Sequence, residues 1–265
     1  MYAFAYHRPG SLDEACSLMA EAEDGRYLAG GQTLLATMKL RLAGPSDLID
    51  LVGIEGLSGL RDDMDTLTVG ALTPHANVEA EASIPALAAL AGLIGDPQVR
   101  NRGTLGGSIA NNDPAADYPA AVLALGATVV TDRREIAADD FFVDIFETAL
   151  DEGEIVTAVR FPRPICAAYV KFPHPGSRFA LVGVMVAKTG SGTRVAVTGA
   201  GACAFRIPAM EDALAAEFSA KAIAHIKIDD DELNDDMHAA ADYRAELVSV
   251  LARRAVAAAS EEAPE

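Results

Sequence analysis

The chain has 265 residues, of which 51% are hydrophobic and 23% are charged, and these values are ordinary for a folded globular protein. Its 39 acidic and 21 basic side chains give a formal net charge of −18. A surface of that sign repels nucleic acid phosphates and anionic lipids, so neither is expected as a partner. No apolar run approaches the length of a bilayer span, and the first residues lack a signal-peptide pattern. These features predict a cytoplasmic protein.

The side chains that usually carry chemistry form no catalytic or metal-binding motif. The three cysteines, Cys16, Cys166 and Cys203, are far apart, which argues against a zinc or iron–sulfur site on this chain. There is no HExxH motif and no GxSxG nucleophile elbow. The acidic run IDDDELNDDMH lacks the spacing and the glycine of an EF-hand, so it is predicted to be a solvated loop without a metal. The chemistry is therefore expected to come from a bound group.

The first part of the chain alternates predicted helices and strands. Ser11 and Glu14 form a capping box, which predicts a short helix through the residues that follow. A strand then leads to a Gly30–Gly31 turn and to a helix over about residues 33–42, which Gly44 and Pro45 end. Further strands are predicted over residues 47–51, 65–72, 127–131 and 154–162, and further helices over 74–82, 85–95 and 119–126.

Pro162 and Pro164 mark a candidate domain boundary. Three apolar strands are predicted beyond it, over residues 167–173, 178–188 and 194–200, and the turn residues between them favour an antiparallel sheet. Helices are predicted over residues 208–218, near 220–226, and over 240–259. The fold class is therefore α+β, with an α/β domain over residues 1–165 and a smaller domain of three strands and helices over 166–265.

The first candidate site is the sequence AGGQTLL, residues 29–35, where a strand ends, two glycines turn the chain and a helix begins at Gln32 or Thr33. The first backbone N–H groups of a helix have no partner within it, and its dipole is positive at that end. Such a turn binds phosphate well, and glycine lets the backbone approach closely. A tight turn capped by Thr33 explains the motif equally simply, and for this motif alone that reading is favoured.

The second candidate site is GTLGGSIANND, residues 103–113, which combines glycines with hydroxyl and amide side chains. Its functional interpretation is a second phosphate-binding turn, with Asp117 accepting a sugar hydroxyl. Its structural interpretation makes Asp117 the N-cap of the next helix. Two glycine turns of this kind suit a ligand with two phosphates, which favours a dinucleotide.

A third glycine motif resembles a dinucleotide-binding turn but is predicted not to be one. Gly199, Gly201 and Ala204 follow a strand with the spacing of a dinucleotide-binding fingerprint. Pro208 delays the next helix, and this half of the chain lacks a βαβ pattern. The Rossmann interpretation requires that context, so it is rejected.

The two glycine turns, together with YLAGGQTLLATMKLRLAGPSDLIDL, QVRNRGTLGGSIANNDPAADYPAAVLALGA, DDFFVDIFETALDEGEIVTAVRFP and YVKFPHPGSRFALVGVMVA, resemble the FAD-binding medium subunit of the molybdenum hydroxylases. This is the family of aerobic carbon monoxide dehydrogenase and xanthine dehydrogenase. The matching segments run in family order over most of the chain. The resemblance implies a PCMH-like FAD-binding domain made of two α/β subdomains, followed by a small C-terminal domain.

The resemblance also implies roles for individual residues. The first turn, Leu28 to Thr33, would hold the FAD pyrophosphate, the second turn would contact it from the other side, Ile94 would lie near the flavin ring, and Lys171 would lie near the isoalloxazine. The full set is Leu28, Ala29, Gly30, Gly31, Gln32, Thr33, Ile94, Thr104, Gly106, Gly107, Ser108, Asn111, Asp117 and Lys171. No residue of this chain is expected to be catalytic apart from a possible tuning of the flavin by Lys171, for which a surface lysine is the alternative.

In such enzymes the [2Fe–2S] clusters belong to a small subunit and the molybdopterin cofactor to a large subunit, and the assembly is a dimer of heterotrimers. The resemblance therefore implies an oxidoreductase subunit whose FAD takes electrons from an iron–sulfur subunit and passes them to an external acceptor. The sequence FPHPGSR, residues 172–178, departs from the xanthine dehydrogenase type, which leaves the acceptor open. Two alternatives remain: a scaffold subunit that binds no flavin, and a stand-alone FAD oxidase.

Overall fold

The computed structural model describes residues 1–261. Its strands are β1 (Ala5–His7), β2 (Gly25–Leu28), β3 (Asp47–Asp50), β4 (Leu60–Asp62), β5 (Thr66–Gly70), β6 (Thr128–Thr131), β7 (Glu135–Ala137), β8 (Phe142–Asp144), β9 (Glu147–Thr148), β10 (Val156–Pro162), β11 (Cys166–Pro173), β12 (Ala180–Thr189), β13 (Gly192–Thr198) and β14 (Phe205–Arg206). Its helices are α1 (Leu12–Glu21), α2 (Leu34–Lys39), α3 (His75–Glu81), α4 (Pro85–Gly92), α5 (Pro97–Arg100), α6 (Leu105–Asn111), α7 (Tyr118–Ala124), α8 (Ala138–Phe141), α9 (Pro208–Ala216) and α10 (Ala241–Glu261).

A small parallel sheet of order β1-β3-β2 begins the fold. Helix α1 contacts it and starts at the predicted cap, where the Ser11 hydroxyl accepts a hydrogen bond from the Glu14 N–H at 3.2 Å. Ala15 of this helix and Ile49 of β3 are fully buried in one core. The sheet places the end of β2, and therefore the first glycine turn, at its edge.

The second sheet has five antiparallel strands in the order β4-β5-β10-β6-β7. Strand β10 lies at its centre, and Val159 and Phe161 of this strand are fully buried. The sheet shares one large core with α4, α6 and α7, in which every residue of α7 from Tyr118 to Ala124 is buried. This core fixes the second glycine segment, because α6 starts within it.

The third sheet is antiparallel, with the order β11-β12-β13-β14. The three predicted strands form, and β14 adds a two-residue edge strand that the sequence did not indicate. Val184 of β12 packs in the core that contains α10, whereas Met185 of the same strand packs in the core that contains α7. Successive side chains of a strand point to opposite faces, so this sheet is covered on both faces. Through the face that packs against α7, this sheet is in contact with the first part of the chain.

Several elements differ from their prediction. Helix α2 is shorter than residues 33–42, because the chain turns at Arg41, whose φ is +61°. Residues 219–225 form turns instead of a short helix. Helix α6 was not predicted, since Gly106 and Gly107 in its first turn make the segment resemble a loop. The small β8–β9 hairpin was not predicted either. The sheet around Gly199 has no parallel crossover, which confirms that the third glycine motif is not a Rossmann turn.

Within residues 1–261 there is no helix that combines the length and the apolar character needed to cross a membrane. The predicted C-terminal domain runs to residue 265, and residues 262–265 lie outside the described range.

Candidate functional site

The two glycine segments meet in space. A β-carbon built on Gly30 would lie 2.1 Å from the backbone oxygen of Arg102 and 2.8 Å from the α-carbon of Gly103. A β-carbon on Gly106 would lie 2.5 Å from that of Ala71. Contacts this short leave no room for a side chain. The close approach of the two segments therefore requires Gly30, and the contact of α6 with Ala71, just after β5, requires Gly106, in addition to any role toward a ligand.

The first turn has free hydrogen-bond donors. Gly31 adopts a φ of +76°, a left-handed conformation that glycine adopts without strain. Within residues 1–261 no acceptor receives the backbone N–H groups of Gly30, Gly31, Gln32 and Thr33. Thr33 is the N-cap residue of α2, as the structural interpretation predicted, but its side chain makes no capping hydrogen bond. These donors form the anion-binding arrangement that the sequence indicated.

The second segment has fewer free backbone N–H groups than the sequence interpretation implied. The N–H groups of Leu105 and Gly106 bond to backbone oxygens of Thr73 and Ala71, at 3.2 and 2.8 Å. The N–H of Gly107 bonds to the hydroxyl of Thr104 at 3.2 Å, which makes Thr104 the N-cap of α6. The glycines of this segment therefore bring its surface close to the first turn, while these three N–H groups are already satisfied.

A cleft of about 540 Å³ lies between the two segments, within the range of ligand sites. All the site residues that the sequence predicted line it, except Lys171. They are Leu28, Ala29, Gly30, Gly31, Gln32, Thr33, Ile94, Thr104, Gly106, Gly107, Ser108, Asn111 and Asp117.

Lys171 does not line the cleft itself but contacts Asp117, which does. Its Nζ is 2.9 Å from the Asp117 carboxylate and donates a hydrogen bond to the backbone oxygen of Leu93 at 3.0 Å. The Tyr169 hydroxyl donates to the same carboxylate at 2.6 Å. Burial raises the pKa of Asp117, and the Lys171 charge and the two hydrogen bonds partly offset this effect. The Lys171 side chain is only 3% exposed, so the surface-lysine alternative is wrong.

Asp117 occupies the N-cap position of α7, as its structural interpretation predicted. It precedes α7, but its side chain makes no capping hydrogen bond. Its two carboxylate oxygens receive hydrogen bonds from Tyr169 and Lys171, and its role toward a sugar hydroxyl stays a prediction. Tyr169 was missed because it is an ordinary inward-facing residue of a predicted strand, and nothing in the sequence pairs it with Asp117.

His75 is a second residue of the cleft that sequence reasoning missed. Its side chain is buried, it lines the cleft, and its Nδ1 has no partner within the described residues. Burial, together with the nearby charge of Arg100, lowers the pKa of His75 to about 4. The available signal was its position after Thr73 and Pro74, at the start of a predicted helix, but a lone histidine there is not informative.

The loop after β11 forms the wall of the cleft near Ile94. Ser177 and Phe179 line the cleft, and Arg178 donates a hydrogen bond to the backbone oxygen of Gly95 at 3.3 Å. Phe179 is 56% exposed, although its ring is apolar. Because this loop follows β11, the C-terminal sheet contributes residues to the wall of the cleft.

Comparison with known proteins identifies the class of this site. The family described as the FAD binding domain in molybdopterin dehydrogenase matches residues 2–164. The nicotine 6-hydroxylase medium subunit of Paenarthrobacter nicotinovorans is 37% identical, over 96% of this chain and 96% of that one. The carbon monoxide dehydrogenase medium chain of Hydrogenophaga pseudoflava is 35% identical, over 97% of this chain and 96% of that one.

The solved structure of carbon monoxide dehydrogenase from Hydrogenophaga pseudoflava, in a form that lacks the Mo-pyranopterin moiety, matches this fold with a TM-score of 0.89, 35% identity and 98% coverage of both chains. The fold and the cleft define the flavoprotein component of an oxidoreductase. The chain belongs to the family of FAD-binding medium subunits of the molybdenum hydroxylases.

The residues present fit FAD. The unpaired N–H groups of the first turn suit a pyrophosphate, and the cleft continues from there toward Ile94 and Phe179, where apolar side chains suit a flat ring. The identification of an FAD-binding medium subunit from sequence is therefore confirmed.

Proposed function

We propose that this chain is the FAD-carrying electron-transfer subunit of a molybdenum hydroxylase. It takes electrons from a [2Fe–2S] partner subunit and passes them to an external acceptor. We assign the substrate of the molybdenum reaction to the large partner subunit, which would carry the molybdopterin cofactor. The observation that carries the proposal is the meeting of two glycine segments on one cleft, with unpaired backbone N–H groups at its edge.

Each part of the cleft has a task in this proposal. The N–H groups of Gly31, Gln32 and Thr33 would bind the pyrophosphate, and Ser108 lines the same cleft. Ile94 and Phe179, which line the cleft, would pack against the flavin ring of bound FAD. When bound, FAD accepts electrons and passes them on, and the protein orients it and sets its electrostatic surroundings. Lys171, which is paired with Asp117 of the cleft, would supply a buried positive charge on that side of the cofactor.

The proposed assembly has three kinds of subunit. The relatives are named as medium subunits or medium chains, which supports a small and a large partner for this chain as well. We place the [2Fe–2S] clusters on the small partner and the molybdopterin cofactor on the large one, in a dimer of heterotrimers. Within the chain we propose an FAD-binding domain over residues 1–165 and a C-terminal domain over residues 166–265, which contributes Tyr169, Lys171 and the loop at residues 174–179 to the site.

The visible absorption spectrum of the purified chain, recorded before and after addition of FAD, tests the proposal. We expect a bound-flavin spectrum and release of FAD on denaturation. Gly31→Ala should weaken binding, because it strains the turn whose N–H groups hold the pyrophosphate. Gly190→Ala is the matched control, since a β-carbon there meets no atom within 4 Å.

The other outcomes separate the alternatives. A chain that retains no flavin once unbound FAD is removed, alone and with its partner subunits, would be the scaffold. A chain whose flavin is reduced directly by an organic substrate without partners would be the stand-alone oxidase. Electron delivery is tested separately by mixing the FAD-loaded chain with its reduced iron–sulfur partner, and an unchanged flavin spectrum would contradict the proposed direction of transfer.

A further inference from the structure

His75 is a buried titratable side chain to which the proposed function gives no task. Only 4% of the residue is exposed, yet it lines the cofactor cleft together with Val99 and Gly103. Its backbone N–H donates to the backbone oxygen of Gly103 at 3.0 Å, at the point where α3 begins. This contact holds the start of α3 against the second glycine segment, and the imidazole is therefore held at the cleft by well-defined backbone.

The two ring nitrogens of His75 have different surroundings. Nδ1 is enclosed by protein and has no hydrogen-bond partner within residues 1–261. Nε2 has no partner among these residues either, but it lies toward Gly103: a β-carbon built on Gly103 would be 2.6 Å from Nε2. Because residue 103 is a glycine that lines the cleft, no side chain at this position covers the nitrogen. Nδ1 therefore needs an internal partner, whereas Nε2 is open toward the cleft.

Tyr118 offers that internal partner. Its ring lies against the His75 ring, with the centroids 5.2 Å apart, and its buried hydroxyl has no partner within the described residues. A phenol hydroxyl donates and a bare ring nitrogen accepts, so the two groups satisfy each other directly or through one enclosed water. The opposite tautomer, with the proton on Nδ1, would leave the Tyr118 proton buried without an acceptor, which costs more than an unused lone pair.

The imidazole therefore presents an uncharged donor to the cleft. Burial, together with the nearby charge of Arg100, lowers the pKa of His75 to about 4, so the ring carries one proton at neutral pH. With Nδ1 bare, that proton is on Nε2. A neutral donor can bind an anionic oxygen in an enclosed site without adding a charge that must itself be desolvated.

The place of Nε2 indicates which part of the ligand it meets. Gly103, which Nε2 approaches, also touches the first turn, because a β-carbon on Gly30 would lie 2.8 Å from the Gly103 α-carbon. That turn carries the free backbone N–H groups of residues 30–33. The Nε2–H of His75 thus adds one side-chain donor next to a cluster of backbone donors, and such a cluster suits the oxygens of a phosphate.

We propose that His75 binds an oxygen of the FAD pyrophosphate through its Nε2–H, and that Tyr118 holds the ring in the tautomer that this contact requires. The inference rests on the proposed function, because the anionic ligand is the cofactor named there. It gives a binding role to a residue outside both glycine motifs. It also gives a positioning role to Tyr118, which does not line the cleft.

Flavin titration tests the contact. His75→Leu removes both ring nitrogens and should weaken FAD binding about tenfold or more, the loss of a hydrogen bond to a charged group. His75→Gln keeps a side-chain N–H donor and should stay within about threefold of the parent chain. ADP, added as a competitor, carries the pyrophosphate without the flavin, and His75→Leu should weaken its binding by a similar factor. His225→Leu, at an exposed position outside the cleft, is the control and should change neither.

Imidazole ¹⁵N NMR of the flavin-free chain reads the tautomer. We expect the His75 signals of a bare Nδ1 and a protonated Nε2. Tyr118→Phe should move the ring toward the opposite tautomer and weaken FAD binding, by less than His75→Leu does. If Tyr118 only fills space, Tyr118→Phe leaves the tautomer unchanged, which overturns its positioning role.

Variants are compared after urea unfolding of the flavin-free chains has shown that they fold. A folded His75→Leu that binds FAD as tightly as the parent chain overturns the inference, and so does a parent His75 protonated on Nδ1. Weakened binding of FAD but not of ADP, or ADP that does not compete, overturns the assignment to the pyrophosphate. If His75→Leu does not fold, the tautomer and the FAD affinity of Tyr118→Phe decide.

Failure of this inference is distinct from failure of the proposed function. A parent chain that binds FAD, beside His75 variants that bind it equally well, leaves the proposed function standing and removes only the His75 contact. A parent chain that retains no FAD, alone or with its partner subunits, overturns both.

Discussion

Lys171 and Asp117 form an ion pair across 2.9 Å, with only 3% and 4% of their side chains exposed. Lys171 belongs to β11 of the C-terminal sheet, whereas Asp117 precedes α7 in the large core of the first part. Tyr169, two residues earlier on β11, donates to the same carboxylate. This contact ties the two parts of the chain together beside the cleft.

Lys171→Met should destabilise the chain by about 3–5 kcal/mol, because it leaves the Asp117 carboxylate buried without its counter-charge. The double variant Lys171→Met with Asp117→Asn should regain much of that loss, since it removes both charges. Urea unfolding of the flavin-free chain measures each value. Losses that simply add in the double variant would show that the pair does not act as a unit.

Lys171 should also affect the midpoint potential of the bound FAD. If the Lys171 charge stabilises the reduced cofactor, Lys171→Met lowers the midpoint potential of the bound FAD, as measured by spectroelectrochemical titration. Asp117 reduces the net charge that the flavin experiences, so Asp117→Asn should raise the potential. An unchanged potential in both variants would remove this role and leave the pair a purely structural one.

Gly30→Ala should separate the two glycine segments. Its β-carbon would lie 2.1 Å from a backbone oxygen, which cannot move aside as a flexible side chain can. We expect a loss of about 1–3 kcal/mol in stability from overpacking and a fall in FAD affinity of roughly tenfold or more. Flavin titration measures the affinity, and Gly190→Ala is the control. Normal FAD affinity in Gly30→Ala would contradict the arrangement described for the cleft.

His75 should remain neutral far below the pH at which histidine usually gains a proton. Its pKa is lowered to about 4 by burial in the folded state, against 6.5 for the free side chain. The unfolded chain therefore binds the proton more readily. The stability linked to His75 is fully present above pH 6.5 and is lost as the pH falls toward 4, by up to about 3 kcal/mol.

Imidazole NMR from pH 8 to pH 4.5 checks this prediction directly. The signal of His75 should stay close to the neutral position down to about pH 5 and begin to shift only below that pH. His75→Gln should remove the linked part of the stability change measured by urea unfolding between pH 6.5 and pH 4.5. A His75 signal that titrates near pH 6.5 would show that the side chain is solvated.

Glu154 should make the chain sensitive to acid. Arg134 donates to its carboxylate at 2.9 and 3.0 Å, and the Thr131 hydroxyl donates at 2.7 Å. The Arg134 hydrogen bond is the main reason that the pKa of Glu154 falls from 4.5 to about 2. The resulting stability is present above pH 4.5 and is lost as the pH falls toward 2.

We expect this contribution to be about 2 kcal/mol, reduced from the value for a fully buried pair because Arg134 is partly solvated. Glu154→Gln should flatten that part of the stability profile, and Glu152→Gln, at an exposed neighbouring position, should not. Unfolding curves at a series of pH values provide the measurement. Equal profiles for the two variants would contradict the role of Glu154.

Local chemistry was predictable where it depends on near neighbours in the chain. The Ser11 cap, the Gly30–Gly31 turn and the strands β11, β12 and β13 follow from capping, turn and alternation patterns. Both glycine motifs line the cleft, because a phosphate-binding turn is short and continuous in sequence. Helix α6 was not predicted, because glycine lowers helix propensity. Its first N–H groups bond to the backbone oxygens of Thr73 and Ala71, which are distant in the sequence.

The sequence by itself determined the class of this protein and the two turns that approach the cofactor. Only the tertiary structure decided that Gly30 and Gly103 touch, that Lys171 is buried on Asp117 rather than exposed, and that His75 and Tyr169 belong to the site. These contacts join residues far apart in the chain, and packing selects them only when the sheets and helices come together. A sequence pattern records the neighbours of a residue along the chain, whereas burial and charge pairing depend on its neighbours in space.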